Sequence, residues 1–287
     1  MLLGSFVADA LALGPHWIYD VNIIDDTFGD IKGIVAPPSG SFHKGKVKGD
    51  FTHYGDQMIF VLDYMKNNET FDIESFKVAW LKCMETFEGY MDHATKESIH
   101  HYKSSTEIGG SASDELGGVA RMAPILYKYA LEDKPFEEVA VLQTKLTHTG
   151  GDVLEMAKAI ALLVDKVLKG KNPKEAIPEV AEAMGGQIKA YIDEAIAHES
   201  VEPREMIASF GQSCSGKSAF PSVMYLLYKF SEDYEQALLE NIGAGGDSAA
   251  RAIVIGMVLG AHLGEEVIPK EWINDTNKMK QVIDFVK

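Results

Sequence analysis

Alternating runs of Val, Ile and Thr, the pattern a half-buried β-strand requires, are almost absent from this 287-residue chain, and apolar residues recur instead at helical spacing. Between Gln57 and Met65 the apolar positions Met58, Phe60, Val61, Leu62, Tyr64 and Met65 are too dense for a surface strand and predict a helix with a wide buried face. The same period predicts helices near Ile73–Tyr90, Leu116–Ala130, Phe136–Leu146, Val153–Leu168, Lys174–Met184 and Gln187–His198. The C-terminal part adds Pro221–Phe230, Tyr234–Ile242, Ser248–Leu263 and a short helix near Asn277–Val286. The fold class is therefore all-α. Breaks fall at Gly29–Asp50, Ile108–Glu115, Thr147–Asp152, Ser200–Lys217 and Gly243–Asp247, and none of them is a low-complexity linker. With no fixed-period repeat and no shift in composition, one domain over 1–287 is expected, its loops free to converge on one site.

Charge narrows the range of partners. With 27 Lys+Arg against 43 Asp+Glu the chain carries a formal charge of −16, which argues against a general basic surface for nucleic acid. Two cysteines, Cys83 and Cys214, cannot build a disulfide framework, and a reducing cytoplasmic setting is the simpler expectation. The first residues lack the basic region of a signal peptide, and no window approaches the ~20 apolar residues of a membrane span. Neither secretion nor membrane insertion is expected.

Gly211-Gln-Ser-Cys-Ser-Gly-Lys-Ser218 fits the phosphate-loop pattern letter for letter. Its context does not. The preceding Val201–Phe210 is polar and interrupted by Pro203 where a buried strand should lie, and a helix begun at Gly216 would meet Pro221 in its second turn. A Gly/Ser loop before a proline-started helix is the expected reading.

Five other segments carry potential chemistry. Asp9 sits in an apolar stretch that ends in Gly14-Pro15-His16-Trp17. Thr52-His53-Tyr54-Gly55-Asp56-Gln57-Met58 opens a strongly apolar helix, where Asp56 is either a cap or a site carboxylate. Gly110-Ser111-Ala-Ser113-Asp114, followed by Gly117-Gly118 and Arg121-Met-Ala-Pro124, offers hydroxyls and N–H groups suited to an anion. Thr147-His148 lies in a turn, and Gly245-Gly246-Asp247-Ser248 leads through Arg251 into an almost wholly apolar helix. Each segment alone also has a structural explanation, as a cap or a buried polar group.

Taken in this order, the five segments resemble the ADP-ribosylglycohydrolase family, and within it the branch containing the J1 crystallins. Ala8-Asp9-Ala10-Leu11 through Gly14-Pro15 loosely matches the family's Gly-Asp-Ala-Leu-Gly-x-Pro opening. His53–Met58 falls on its Thr-Asp-Asp-Thr-x-Met motif, Ala120–Pro124 on Met-Arg-x-Ala-Pro, and Thr147-His148 on its Thr-His turn. Gly245–Ala250 falls on Gly-Gly-Asp-x-Asp-Thr, with Gly256 nine residues beyond Asp247. The resemblance implies an all-α, single-domain hydrolase with a central cleft that cleaves the glycosidic bond of an ADP-ribosyl or related nucleotide-sugar compound, small or protein-linked. It also implies two magnesium ions held by carboxylates of the second and last motifs.

The departures weaken that cage. Tyr54 and Gly55 replace both aspartates of the second motif, Asp56 stands where its second Thr belongs, Ala249 and Ala250 replace the last Asp-Thr, and Trp17 replaces a Glu. The remaining metal ligands would be Asp56, Asp247 and Ser248, holding one magnesium ion or none. Asp56, Asp247 and His53 are the expected acid/base residues, and Asp9, Trp17, Ser111, Ser113, Asp114, Arg121, His148 and Arg251 the expected substrate contacts. Cys214 is either a packed thiol or a redox group facing the same cleft. The alternative function is a catalytically silent nucleotide binder or a crystallin-like structural protein.

Overall fold

Residues 1–286 are described by a computed structural model, and among them no β-strand forms; pairing outside helices is limited to isolated bridges such as Ser111 with His148 and Glu115 with Ser215. The Ser248–Leu263 helix runs through the core, enclosed from Ser248 through Gly260. An apolar residue at nearly every position suits a helix with neighbours on all sides, and here they are Leu2–Ala12, Val153–Leu168, Gly216–Lys229 and Tyr234–Gly243.

Its closest partner is Leu2–Ala12, and small residues let the two backbones touch. A Cβ added at Gly256 would stand 2.4 Å from the Gly4 carbonyl oxygen and 2.7 Å from the Ala8 Cβ. This crossing places the start of one helix beside the end of the other. The turn after Leu2–Ala12 then locks onto the glycine bend before Ser248: Trp17 N–H donates to the Gly246 carbonyl (2.9 Å) and Gly246 N–H to the Ile18 carbonyl (2.8 Å). Gly245 and Gly246 both have φ near +70°, a conformation that favours glycine. His16 and Asp247 are thereby brought together.

Most periodic segments form helices within a few residues of the expected bounds, and Val153–Leu168 and Ser248–Leu263 form over those spans. Four expectations need correction. The Ile73 helix stops at Glu85, and a separate helix, His93–Ser104, follows from an Asp92 cap. Its sequence buries only Ala94, Thr95 and Ser98, so it carries almost no apolar period. The expected Leu116–Ala130 helix is a 3-10 turn, Leu116–Arg121, followed by an α-helix from Ala123, because Pro124 cannot donate and takes a first-turn position instead. Pro203 does not break a loop but begins the Pro203–Phe210 helix, and the next helix does start at Gly216 with Pro221 inside it. The carbonyl that Pro221 leaves unpaired belongs to Lys217, an exposed residue, so water can satisfy it.

Candidate active site

Tyr54 is the hinge of the site. It lies on the first turn of the His53–Asn67 helix, is buried, and its hydroxyl donates to Asp247 Oδ2 at 2.8 Å across the molecule. Space for its ring comes from Gly117, where a Cβ would stand 2.2 Å from Tyr54 Cε1; Gly118 does the same for His148, whose Cγ would be 2.6 Å away. The Gly-Gly pair in the 3-10 turn thus admits two rings that side chains would exclude.

Asp247 caps the Ser248–Leu263 helix through the Ala250 N–H, and His16 Nδ1 lies 3.7 Å from its Oδ1. Burial raises the Asp247 carboxyl above the ordinary range, with the Tyr54 hydrogen bond opposing. Burial also pushes Tyr54 well above the usual phenol value, Asp247 adding to the effect, so the phenol is a donor here.

Around this pair stands a cluster of imidazoles. His16, His43 and His53 are all buried, with His43 Nε2 3.2 Å from His53 Nδ1. Trp17 stacks on His16 and His43 at centroid distances of 4.4 and 5.3 Å, and Tyr90 meets His53 edge-on at 5.3 Å. Burial and the neighbouring rings hold His16 well below the ordinary imidazole value; burial, with His53 and Lys46, takes His43 down to about 3. His53 Nε2 faces Asp92 Oδ2 at 3.5 Å, and Arg121 reaches the same oxygen at 3.2 Å. Burial works against the Asp92 carboxylate, but His53 and Arg121 together keep it well below the usual range.

Glu115 is the carboxylate of this group with solvent access, its side chain 24 % exposed. Burial raises its carboxyl above the ordinary range, opposed by the Cys214 thiol, which donates to Oε1 at 3.0 Å; His148 Nε2 lies 4.0 Å from Oε2. Burial and Glu115 together push Cys214 far above an ordinary thiol, so it is a packed, protonated group rather than a nucleophile.

The sequence-expected residues fall into three sets. Asp247, His53, Trp17, Arg121 and His148 belong to this cluster. Ser111, Ser113 and Asp114 line the adjoining loop, but they are engaged there: Ser111 Oγ donates to the Thr147 carbonyl, Ser113 Oγ accepts from Glu115 N–H, and Asp114 accepts from Ser215. Asp9, Asp56, Ser248 and Arg251 are placed otherwise than expected. Both oxygens of Asp9 accept from Thr52, through its N–H and its hydroxyl, and the residue has no solvent exposure; burial raises its carboxyl to about 7. Asp56 pairs with Lys46 at 2.6 Å, because a residue two positions beyond Tyr54 points about 200° around the helix from it. Arg251 is fully buried and braces the glycine bend through Asn241 and the Gly245 carbonyl. Ser248 Oγ is buried without a partner.

Asp56 and Lys46 instead border a cavity of about 550 Å³, together with Lys44, Phe60, Phe87 and Lys278. Arg121 and Arg251, by contrast, are buried. The residues that sequence reasoning passed over are His43, in the irregular segment before His53, together with Asp92, Tyr90 and Glu115. Only Glu115 lay inside a segment already singled out.

A family model for ADP-ribosylglycohydrolases matches residues 1–286. The chain belongs to the ADP-ribosylglycohydrolase family. Crystallin J1A of Tripedalia cystophora is 21% identical over the whole chain and 94% of its own length, and an uncharacterized protein of Archaeoglobus fulgidus is 23% identical over 95% of this chain and 88% of that one. ADP-ribosylhydrolase ARH3 of Bos taurus is 23% identical, covering 58% of this chain and 54% of its own. Among solved structures, an ADP-ribosylglycohydrolase-related protein complex superposes with a TM-score of 0.76 at 18% identity over 99% of this chain and 93% of that one. The fold is therefore that of the family.

The residues present do not fit the two-magnesium cage implied by the family resemblance. Tyr54 Oη holds one Asp247 oxygen, Ala249 and Ala250 offer no side-chain oxygen, and Asp56 is bound to Lys46. Gly55 cannot regain a side chain, since a Cβ there would lie 2.1 Å from Asp9 Oδ2. The expected Asp56–Asp247–Ser248 ligand set is not assembled.

Proposed function

We propose that this protein is a hydrolase of N- or O-glycosidic bonds in an ADP-ribosyl or related nucleotide-sugar compound, small or protein-linked, working without the two-magnesium cage. The observation that carries the reading is that a family match over 1–286 coincides with a buried carboxylate–imidazole cluster where the family's motifs meet. Glu115 is the proton-exchanging residue, since it combines access with a raised carboxyl. Protonated, it gives its proton to the departing aglycone atom; water then adds to the anomeric carbon and returns a proton to the carboxylate. Asp247, oriented by Tyr54 and His16, and His53, oriented by Asp92, fix the electrostatics beside that carbon. The diphosphate meets Lys44, Lys46 and Lys278 at the cavity rim, giving Asp56 a binding rather than an acid/base role.

Release of free ADP-ribose from N- and O-linked ADP-ribosyl conjugates tests this, with Glu115→Gln, Asp247→Asn and Asp56→Asn compared. The expected result is activity lost in the first two, folding intact, and largely kept in the third. Activity lost only in Asp56→Asn would overturn the assignment, and no release by the wild type from any conjugate would overturn the hydrolase reading.

The second reading, a catalytically silent binder or structural protein, is favoured by the end-to-end similarity to Crystallin J1A and by the engagement of Asp247 with Tyr54 and of Asp92 with Arg121. Calorimetry with ADP-ribose, with and without magnesium, separates the readings: binding without turnover supports a silent binder, and no binding supports a structural role.

A further inference from the structure

We propose that His16, His43 and His53 form a three-histidine site for a divalent transition-metal ion of zinc type, distinct in donor chemistry from an oxygen-ligated magnesium site. One nitrogen from each ring falls within 4.8 Å of the other two, and all three residues are at most 4 % exposed. The His43 Nε2 to His53 Nδ1 separation is 3.2 Å; two nitrogens bound to one tetrahedral zinc ion at about 2.05 Å stand roughly 3.3 Å apart. The third ligand is His16, whose Nε2 is buried without a partner.

A simple hydrogen-bonded histidine pair accounts for the geometry less well. His43 Nε2 already faces the backbone N–H of His53 at 3.4 Å, so it acts as the acceptor and any shared proton rests on His53 Nδ1. In a neutral ring that leaves the His53 Nε2 lone pair facing the Asp92 carboxylate at 3.5 Å, acceptor against acceptor. An ion bound to Nδ1 reverses this: the proton moves to Nε2 and points at Asp92, the carboxylate–histidine–metal arrangement that orients metal ligands. An ion on His16 Nε2 likewise requires the proton on Nδ1, so the 3.3 Å contact from the Ala249 N–H gives way and Nδ1–H turns to Asp247 Oδ1, 3.7 Å off. Buried neutral imidazoles suit zinc, copper, nickel and iron, whereas magnesium requires oxygen donors. Three protein ligands leave a fourth position for water or a ligand atom.

The inference does not depend on glycosidic cleavage. Chelator-stripped protein is titrated with zinc chloride by calorimetry, and separately with cobalt(II) while visible absorption is recorded. The expected result is one equivalent of zinc bound, retained against a hundredfold excess of magnesium, with the intense d–d bands of four-coordinate cobalt. His43→Ala, in a non-helical segment, removes that equivalent while His93→Ala, at an exposed histidine, keeps it. Failure of the wild type to take up stoichiometric zinc or to develop cobalt bands overturns the proposal, as does undiminished uptake by folded His43→Ala. If His43→Ala does not fold, the wild-type cobalt spectrum decides.

Discussion

Replacing Gly256 by alanine tests whether the backbone contact between the first helix and the Ser248–Leu263 helix sets the geometry of the site. The new methyl would lie 2.4 Å from the Gly4 oxygen and 2.7 Å from the Ala8 Cβ, against an ordinary contact of 3.4–4 Å, so the helices must part by about 1 Å. The obstruction is backbone and cannot rotate away. Overpacking a close-fitted core costs about 1–3 kcal/mol, and the upper part of that range applies to a rigid obstruction. Alanine returns about 1 kcal/mol of helix propensity. The net expectation is a loss of about 2 kcal/mol, or roughly a 5 °C fall in melting midpoint for a chain of this size. Gly260→Ala, one turn on, is the internal control. Its Cβ meets Met1 N at 3.1 Å and Gly4 Cα at 3.4 Å, a shortfall of a few tenths of an ångström against about 1 Å at Gly256, so the propensity gain leaves stability close to unchanged. Urea and thermal melts followed by circular dichroism measure both. A Gly256→Ala protein as stable as wild type, or a Gly260→Ala protein the weaker of the two, would refute the reasoning.

Two further outcomes follow from the site. Burial, with Arg121 adding to it and Asp92 opposing, takes His148 from 6.5 down to about 3 in the folded chain, so the unfolded chain binds the extra proton. Its contribution to stability is present above about pH 6.5 and lost as pH falls toward 3; urea midpoints should decline over that window, and His148→Gln should flatten the decline, an unchanged slope counting against the assignment. Gly55→Asp, which writes back one aspartate of the family motif, should yield insoluble or strongly destabilised protein. Its Cβ would fall 2.1 Å from Asp9 Oδ2 and add a second carboxylate to a buried one, so a soluble variant with wild-type melting would disprove the steric argument.

Helical period carried most of the fold because most helices here bury a broad apolar face, as Val153–Leu168 does. It failed where that face is missing. His93–Ser104 is held by the Asp92 cap and three small buried residues, and Pro203–Phe210 begins with a proline that reads as a break until it is placed at the first helical position. The site was legible to the same extent. His53, Asp247 and His148 stand in recognisable segments, whereas His43 comes from an irregular stretch whose sequence has no period, and Asp92 belongs to the helix that period missed. Sequence proximity to Tyr54 likewise conceals about 200° of rotation at Asp56, which turns it toward Lys46.

The replacements that distinguish this chain from the family pattern are physically coupled. Tyr54, in place of an aspartate, donates to one Asp247 oxygen. Gly55, in place of the next aspartate, is the residue that lets the buried Asp9 pack there with its two hydrogen bonds to Thr52. His53, in place of a threonine, faces both His43 and the Asp92–Arg121 pair. Tyr54 thus meets a group from a distant part of the sequence, Asp247, and His53 faces Asp92. Buried nitrogens without a partner gather in the histidine cluster itself, at His16 Nε2, His43 Nδ1 and His53 Nε2.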